Sequence, residues 1–357
     1  MNKNITFVFN EGRAKRLKKE TKGPKEFFYS YNFFQEDNEN TNFIEHKSEK
    51  KGIFYLFFKL FRKVSKIPIY TEGLIGRNNL NVILSSKSII ATNQNLGYSL
   101  LPLLKISKKS NLKFYIFIMG FLKNTGNIFN KIMTRSLIKT ATMLLFISKS
   151  ELDEAKKRFP DFSEKFVYVP FCVDTKFWSP NSSKIKTKNI LFVGNDSNRD
   201  FDFLLDLAKE MKDFNFSIIT DKISSCNLEN VNLINGNWRE ETLSDSEIKK
   251  LYSESFLSII PLKNSFQPSG QSVALQSMSM KTPTIITDTK GFWDKESFIN
   301  KENIFFMSSN SIDEWKNQIN LIYNDDDLYN KVSVSGNNLV HKYFDVKIQY
   351  EILSNII

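Results

Sequence analysis

A chain of 357 residues with 41% hydrophobic residues, 33 of them phenylalanine, is long enough for two ordinary domains and can build a core in each. Two cysteines in no metal-like spacing indicate a reduced, intracellular protein, and two distant histidines argue against a zinc triad or a Ser-His-Asp relay. The net charge of +11 divides into +16 over the first 170 residues and −5 over the remainder. The basic half suits a polyanion or an anionic membrane, or is simply a solvated lysine-rich surface.

The N-terminus shows no secretory signal, because Met1–Asn10 is short and the stretch from Glu11 to Lys25 is dense in charge. The longest apolar runs, Phe54–Phe58 and Phe114–Leu122, are well short of the roughly 20 residues that a membrane-spanning helix needs. We therefore expect a cytoplasmic protein that does not span a membrane.

Short apolar strands alternate with helical stretches over the first half of the chain. The predicted strands are Ile5–Phe9, Asn81–Leu84, Ser88–Ala91, Lys113–Met119 and Met143–Ile147. Helices are expected at Leu96–Leu104 and after Ser148, which with Glu151 fits a capping box. Such alternation indicates a parallel, doubly wound sheet.

The segment Val167–Pro180 is predicted to link two domains, because its two prolines cannot sit in a central strand or helix. A polar tether, Asn181–Lys188, follows it. The expected organisation is a first domain over 1–170, a linker over 171–188, a second domain over 189–340 and a C-terminal helix over 341–357 that could pack back on the first domain.

The second half repeats the α/β pattern from the start and is interpreted as a separate domain. Its predicted strands are Ile190–Val193, Phe216–Ile219, Asn232–Ile234, Phe256–Ile260, Thr284–Thr287 and Ile304–Met307. Its predicted helices include Ser246–Glu254, Val273–Met280 and Ile312–Tyr323.

The segment between Ile259 and Asp294 is the most informative for function. It is predicted to be a strand, a loop with Ser269, Gly270, Gln271 and Ser272, a helix, and a further strand. Such a turn directs backbone N–H groups and the positive helix end at one point, which suits a diphosphate. The alternative is that Ser and Gly merely cap the helix.

This segment resembles the donor-sugar motif of the retaining glycosyltransferases of family 4. Leu275-Gln276-Ser277-Met278 matches the Leu-Glu-Ala-Met part of that motif, and Thr282-Pro283 followed by an apolar strand matches its end. The family's linker pattern reappears from Val169-Pro170 to Val173-Asp174-Thr175, and Phe192-Val193-Gly194 matches the opening strand of its second domain.

The resemblance implies a GT-B fold, in which two Rossmann-like domains face a cleft and the second domain holds most of the donor. It also implies retention of configuration and independence of a metal. Gln276 stands where the family's second Glu binds the ribose, and Pro268 stands near the position of the first Glu. Arg199 loosely matches the family's phosphate-binding cations and Lys263 is a further candidate, although either could be an ordinary surface cation.

Other candidate positions rest on placement alone. Gly12 could let backbone approach the donor phosphates or be an ordinary turn glycine. Asn93 and Gln94 are candidates for the acceptor side of the cleft. Trp238 and Arg239 could flank the nucleobase, with packing as the alternative for Trp238. The dinucleotide-binding Gly-x-Gly-x-x-Gly pattern is absent from the sequence, which counts against an NAD-dependent oxidoreductase.

A basic and aromatic segment runs from Lys50 to Lys66. A helix of this composition could lie in the surface of an anionic bilayer. It could instead pack its aromatic side chains on the first-domain sheet and leave its cations in solvent. We favour the membrane contact, because so many aromatic and cationic residues share one short segment.

The sequence and the resemblance together predict transfer of a sugar from a nucleotide-diphosphate sugar to a glycan or lipid-linked acceptor, in the assembly of cell-surface glycans or glycolipids. The nucleotide sugar is the substrate, and we expect no further cofactor, no metal and no nucleic-acid partner. A non-catalytic GT-B scaffold or binding protein, and a nucleotide-sugar epimerase on the same fold, are the alternatives.

Overall fold

The computed structural model describes residues 4–19, 23–38, 40–47, 52–107, 111–121, 128–180, 187–237 and 242–357. The chain forms two compact units, each with its own parallel sheet. Unit 1 comprises Met1–Thr21, Phe27–Pro170 and Gln349–Ile357, and unit 2 comprises Lys22–Glu26 and Phe171–Ile348.

The sheet of unit 1 has six parallel strands in the order β2-β1-β3-β4-β5-β6. They are β1 (Ile5–Phe9), β2 (Thr41–Glu45), β3 (Ser88–Ala91), β4 (Lys113–Ile118), β5 (Met143–Phe146) and β6 (Phe166–Tyr168). The central strands are buried on both faces, which explains their continuous apolar sequences.

Helices cover the sheet of unit 1, and the cluster of buried side chains between them forms its core. The helices are α1 (Arg13–Lys19), α2 (Tyr31–Asp37), α3 (Ile53–Ser65), α4 (Arg77–Ser85), α5 (Gln94–Ser107), α6 (Ile128–Thr140) and α7 (Lys149–Arg158).

The sheet of unit 2 also has six parallel strands, in the order β12-β11-β10-β7-β8-β9. They are β7 (Asn189–Val193), β8 (Asn215–Thr220), β9 (Val231–Asn235), β10 (Leu257–Ile260), β11 (Thr284–Thr287) and β12 (Phe305–Met307). Renumbered from β7, this is the 3-2-1-4-5-6 order of the Rossmann fold. Successive strands are added on one side of β7 as far as β9 and on its other side from β10 onward. The strand order therefore reverses between β7 and β10, where such folds bind ligands.

The helices of unit 2 are α8 (Phe201–Glu210), α9 (Asp245–Glu254), α10 (Gln271–Ser279), α11 (Ile312–Asn324) and α12 (Asp326–Tyr343). The last helix of the chain, α13 (Val346–Ile356), contributes its residues from Gln349 onward to unit 1. The predicted α/β class with two doubly wound domains is confirmed by this topology.

Three local predictions were wrong or incomplete. Asn81–Leu84 lies inside α4 and is not a strand. Its apolar residues are consecutive, and so short a run does not distinguish a helix from a strand. The strands β2 and β6 were not predicted. The hydroxyl of Ser148 does accept the N–H of Glu151, but the Glu151 carboxylate accepts the N–H groups of Gly120 and Phe121.

The residues predicted to link the domains are folded into unit 2 as far as the structure describes them. Phe171–Pro180 belongs to this unit, and the Trp178 side chain within it is fully buried. None of the helices in the described ranges is long and apolar enough to cross a membrane.

Candidate functional site

Two loops of unit 2 meet at the point where its strand order reverses. One follows β7 and runs from Gly194 to Asp200, and the other follows β10 and ends at Gly270. They touch through an isolated antiparallel bridge between Arg199 and Leu262. Because both loops leave the carboxyl ends of their strands, they form the edge at which Rossmann-like sheets bind nucleotides.

The loop after β10 ends in the turn that opens α10. Gly270 is the N-cap of this helix, with φ of 80°, and no side chain caps the helix there. The first N–H groups of a helix have no acceptor within the helix itself, so this end carries the positive pole of its dipole. A Cβ on Gly270 would lie only 2.7 Å from the Ile260 Cγ2, so the position requires glycine for conformation and for space.

Arg199 lies directly against this helix end. Its side chain is only 3% exposed, and its Nη1 is 3.0 Å from the position that a Cβ on Gly270 would occupy. A Cβ on Gly194 would lie 2.4 Å from the Arg199 Nε. The absence of a side chain at Gly194 therefore leaves room for the guanidinium at the end of β7.

The Arg199 guanidinium is only partly neutralised. The Asp196 Oδ2 is 3.0 Å from its Nε, whereas Nη1 has no hydrogen-bond partner within the described residues. Burial lowers the pKa of Arg199, and the Asp196 carboxylate opposes that shift. A buried cation with an unused donor beside an uncapped helix end is suited to a phosphate group.

Polar side chains of the same two loops join around this point. The Asn198 Nδ2 donates to the Ser269 Oγ at 2.7 Å, and the Lys263 N–H donates to the Asn198 carbonyl at 2.8 Å. Ser269 and Ser272 are half-buried, and the Lys263 side chain is exposed. Arg199, Lys263 and the residues from Ser269 to Ser272, all predicted from the sequence, are therefore brought together.

Gln276 is buried, in the second turn of α10, and both ends of its amide have partners. Its Nε2 donates to the Glu26 Oε1 at 3.1 Å, and its Oε1 accepts the Tyr252 hydroxyl at 3.4 Å. Glu26 is 1% exposed and also accepts the Trp178 Nε1 at 2.6 Å. Burial raises the pKa of Glu26 to about 7, against the opposing effect of these hydrogen bonds.

Sequence reasoning missed Glu26, Trp178 and Tyr252. Glu26 and Gln276 are 250 residues apart, and neither position lies in a pattern that indicates the contact. The ribose-binding role of Gln276 stays a prediction.

Unit 1 places its predicted site residues at the equivalent edge of its own sheet, in the segments that follow β1 and β3, with Gln94 as the first residue of α5. Gly12 is exposed, with φ of 97°, and its carbonyl accepts the Arg16 N–H in the first turn of α1. The Asn93 Oδ1 accepts the Leu96 N–H and so caps α5. Gln94 bonds both backbone groups of Met119. Their roles in binding stay predictions.

Trp238 and Arg239 lie outside the described residues. Within the described ranges, no group of three His, Cys, Asp or Glu side chains is arranged to hold a metal ion.

The fold of the chain is that of GT-B glycosyltransferases of known structure. A glycosyltransferase from Rickettsia africae matches with a TM-score of 0.69 at 14% identity, covering 100% of this chain and 98% of the other. HepE from Anabaena, in complex with UDP, matches with a TM-score of 0.70 at 11% identity, covering 99% of both chains. Sucrose-phosphate synthase from Thermosynechococcus elongatus matches with a TM-score of 0.69 at 11% identity, covering 99% and 98%.

No protein-family model matches the chain, and no curated protein matches it by sequence. The likeness to these structures therefore rests on the fold.

Proposed function

We propose that the protein is a glycosyltransferase that takes a sugar from a nucleoside-diphosphate sugar bound at the end of α10. The observation that carries the proposal is the buried Arg199 guanidinium, whose Nη1 lacks a partner within the described residues and lies beside the N-terminus of that helix. A diphosphate would supply the missing acceptor and interact favourably with the helix dipole. HepE, which shares the fold, has been crystallised with UDP and with UDP-glucose, and this supports a uridine nucleotide as donor.

In this reaction the bond between the sugar C1 and the diphosphate oxygen breaks, and a bond from C1 to an acceptor hydroxyl oxygen forms. Arg199 and the first N–H groups of α10 stabilise the negative charge that builds up on the leaving diphosphate. The leaving phosphate oxygen takes the proton of the acceptor hydroxyl, so the step needs no side-chain base. Attack from the side of the leaving group retains the configuration at C1.

Donor binding is tested by adding a carboxylate to the helix end. Ser272→Glu places a negative charge in the first turn of α10, which favours the helix but repels a diphosphate. Ser246→Glu makes the same change in the first turn of α9 and is the matched control. Calorimetry with UDP-glucose, ADP-glucose and GDP-mannose should show binding to the parent and the control, and an affinity at least about tenfold lower in Ser272→Glu. Equal binding by all three proteins would exclude this site.

Retention is tested on the product. With UDP-α-glucose and an accepted sugar or lipid acceptor, the new glycosidic bond should have the α configuration in the NMR spectrum. A β product would require attack from the opposite side and would contradict the proposed chemistry.

Transfer is favoured over a scaffold or an epimerase, because two of the structural neighbours are described as a glycosyltransferase and a synthase.

We also propose that the protein works at the cytoplasmic face of an anionic membrane, where it helps to assemble cell-surface glycans or glycolipids. The support comes from α3, which packs Phe58 and Phe61 on the core of unit 1. Its other apolar side chains are between 59% and 79% exposed, namely Ile53, Phe54, Leu56, Phe57, Leu60 and Val64. Lys59 and Lys63 are exposed beside them, and the helix contains no acidic residue. Apolar and cationic groups on one exposed helix match the interface of an anionic bilayer.

Vesicle binding tests this contact. The double variant Phe57→Ser, Leu60→Ser should bind phosphatidylglycerol-containing vesicles at least about tenfold more weakly than the parent, because two apolar side chains no longer enter the bilayer. Leu321→Ser, which changes an exposed leucine of α11, should bind as the parent does. Equal binding by the parent and the double variant would contradict the membrane contact.

A further inference from the structure

A carboxylate from the first part of the chain is enclosed in unit 2, away from the steps described above. Glu26 belongs to the segment Lys22–Glu26, which is grouped with unit 2 although the next residues belong to unit 1. Its Oε1 accepts the Trp178 Nε1 and the Gln276 Nε2, and its Oε2 accepts the backbone N–H of Asp174 at 3.1 Å. Three donors converge on one buried carboxylate, which is therefore held in a single orientation.

The contacts of Glu26 lead to the helix that opens at Gly270. Gln276 lies within α10, and its amide has a donor end and an acceptor end that are not interchangeable. Glu26 accepts from the donor end, while the Tyr252 hydroxyl lies 3.4 Å from the acceptor end and 3.3 Å from the Val273 carbonyl of the same helix. The two partners thus fix one orientation of the amide and tie two turns of α10 to the body of unit 2.

The hydrogen bonds of Glu26 reach the phosphate-binding turn through α10 itself. Val273 and Gln276 lie in the first two turns after Gly270, and Arg199 lies against the start of the same helix. Burial raises the pKa of Tyr252 well above its usual range, so its hydroxyl stays protonated and remains a donor. A change at Glu26 therefore reaches the donor site through Gln276.

We propose that Glu26 is a positioning residue of the donor site, which acts through Gln276 to hold α10 and its phosphate-binding turn in the geometry that binds the nucleotide; this rests on the function proposed above. The ionised carboxylate is the active state, because it is the stronger acceptor for the Gln276 amide. Protonation weakens that hydrogen bond and loosens the helix at its second turn.

A double-mutant cycle tests the connection, with UDP-glucose as the probe because its diphosphate diester does not titrate near neutral pH. Glu26→Ala should weaken binding about tenfold and Gln276→Met at least as much, and the double variant should be no weaker than Gln276→Met alone, because the effect of Glu26 passes through Gln276. Trp178→Phe removes another donor to Glu26 and keeps the Gln276 amide and the backbone carbonyl of residue 178, which accepts the Ser279 hydroxyl of α10. It should lower the melting temperature, and at pH 9, where Glu26 is ionised, leave the dissociation constant within about twofold.

The pH profile gives a readout that a purely structural role would not change. Affinity of the parent for UDP-glucose should fall several-fold between pH 8 and pH 6, and Glu26→Gln, which keeps the shape of the side chain, should show no such fall. The other titratable groups that contact Glu26 or Gln276, or lie at the start of α10, are Asp174, Tyr252 and Arg199, and all three are retained in the variant.

The outcomes separate this proposal from the one on which it rests. If the parent binds no nucleoside-diphosphate sugar, the proposed function fails. If the parent binds UDP-glucose but Glu26→Gln keeps the same pH profile, or if the effects of Glu26→Ala and Gln276→Met multiply in the double variant, only the role of Glu26 is overturned.

Discussion

The Arg199 side chain is buried, and its Nη1 has no hydrogen-bond partner within the described residues. These two properties are seldom found together in folded proteins. Desolvating a guanidinium costs free energy, and one carboxylate, that of Asp196, offsets only part of that cost. Groups of this kind are common at binding sites, where a ligand completes the hydrogen bonds. The residue should therefore favour binding at the expense of stability.

Replacing Arg199 by methionine separates these two effects. Arg199→Met removes the buried charge at similar length, and the Asp196 carboxylate that it leaves is 41% exposed and stays hydrated, so we expect the free energy of unfolding to rise. The affinity for UDP-glucose should fall about 10- to 100-fold, because charge-assisted hydrogen bonds to the diphosphate are lost. Denaturant unfolding and calorimetry measure the two quantities. Lys209→Met, at an exposed cation of α8, should change neither, and an Arg199→Met protein that binds UDP-glucose normally would contradict this role.

Glu26 gives a pH dependence of stability with a defined sign. Its pKa is about 7 in the folded protein and near 4.5 when the chain is unfolded. The folded state thus binds the proton more tightly, so the contribution of this group is fully present below pH 4.5 and is lost as pH rises through 7. The loss is on the order of 3 kcal/mol, and Glu26→Gln should remove it from urea unfolding measured between pH 5 and pH 8. If the free energy of unfolding of Glu26→Gln depended on pH as that of the parent does, another group would be responsible for the pH dependence.

At the scale of single elements, the turn that begins α10 requires a glycine at position 270. Gly270 has a left-handed backbone, and a Cβ there would meet Ile260. Gly270→Ala should therefore lower the free energy of unfolding by at least about 2 kcal/mol and weaken UDP-glucose binding, because the turn must move. Gly76 is also a helix N-cap, but its φ is −88° and its surroundings are open.

Gly76→Ala is thus the matched control and should change the unfolding free energy by no more than about 1 kcal/mol. Circular dichroism during thermal unfolding compares the two variants. Equal melting temperatures would show that Gly270 can be replaced without strain.

The elements that sequence could predict are those with a strong local pattern. The strands of unit 2 are short segments rich in apolar residues, and each was predicted within a residue or two of its observed ends. The α4 helix failed because Asn81–Leu84 is a short apolar run, for which periodicity does not distinguish helix from strand. The turn at Gly270 was predictable because its chemistry is local, being a glycine and serines before a helix.

Contacts between distant segments were not predictable in this way. The burial of Arg199 depends on Gly194 and Gly270, and the partners of Gln276 come from positions 26 and 252. Each of these depends on the order of the strands, which one sequence does not reveal. The polar network under the candidate site therefore became visible only in the structure.

At the scale of the whole molecule, the two units are not continuous in sequence. Lys22–Glu26 lies within the first half of the chain and belongs to unit 2, while Gln349–Ile357 ends the chain and belongs to unit 1. In unit 1, the Gln349 Nε2 donates to the Pro170 carbonyl at 2.8 Å, and the Tyr350 ring packs against Phe34. The C-terminal residues are thus a structural part of unit 1.

This arrangement makes the stability of unit 1 depend on the last helix of the chain. Leu353 is fully buried, so Leu353→Ala should lower the free energy of unfolding of unit 1 by about 2–5 kcal/mol through lost burial and a cavity. Glu351→Ala, at an exposed position two residues earlier, is the control and should have little effect. Differential scanning calorimetry should show an earlier transition for Leu353→Ala, with UDP-glucose still raising the melting temperature of unit 2. If Leu353→Ala instead abolished the stabilisation by UDP-glucose, the C-terminal residues would serve the donor site as well.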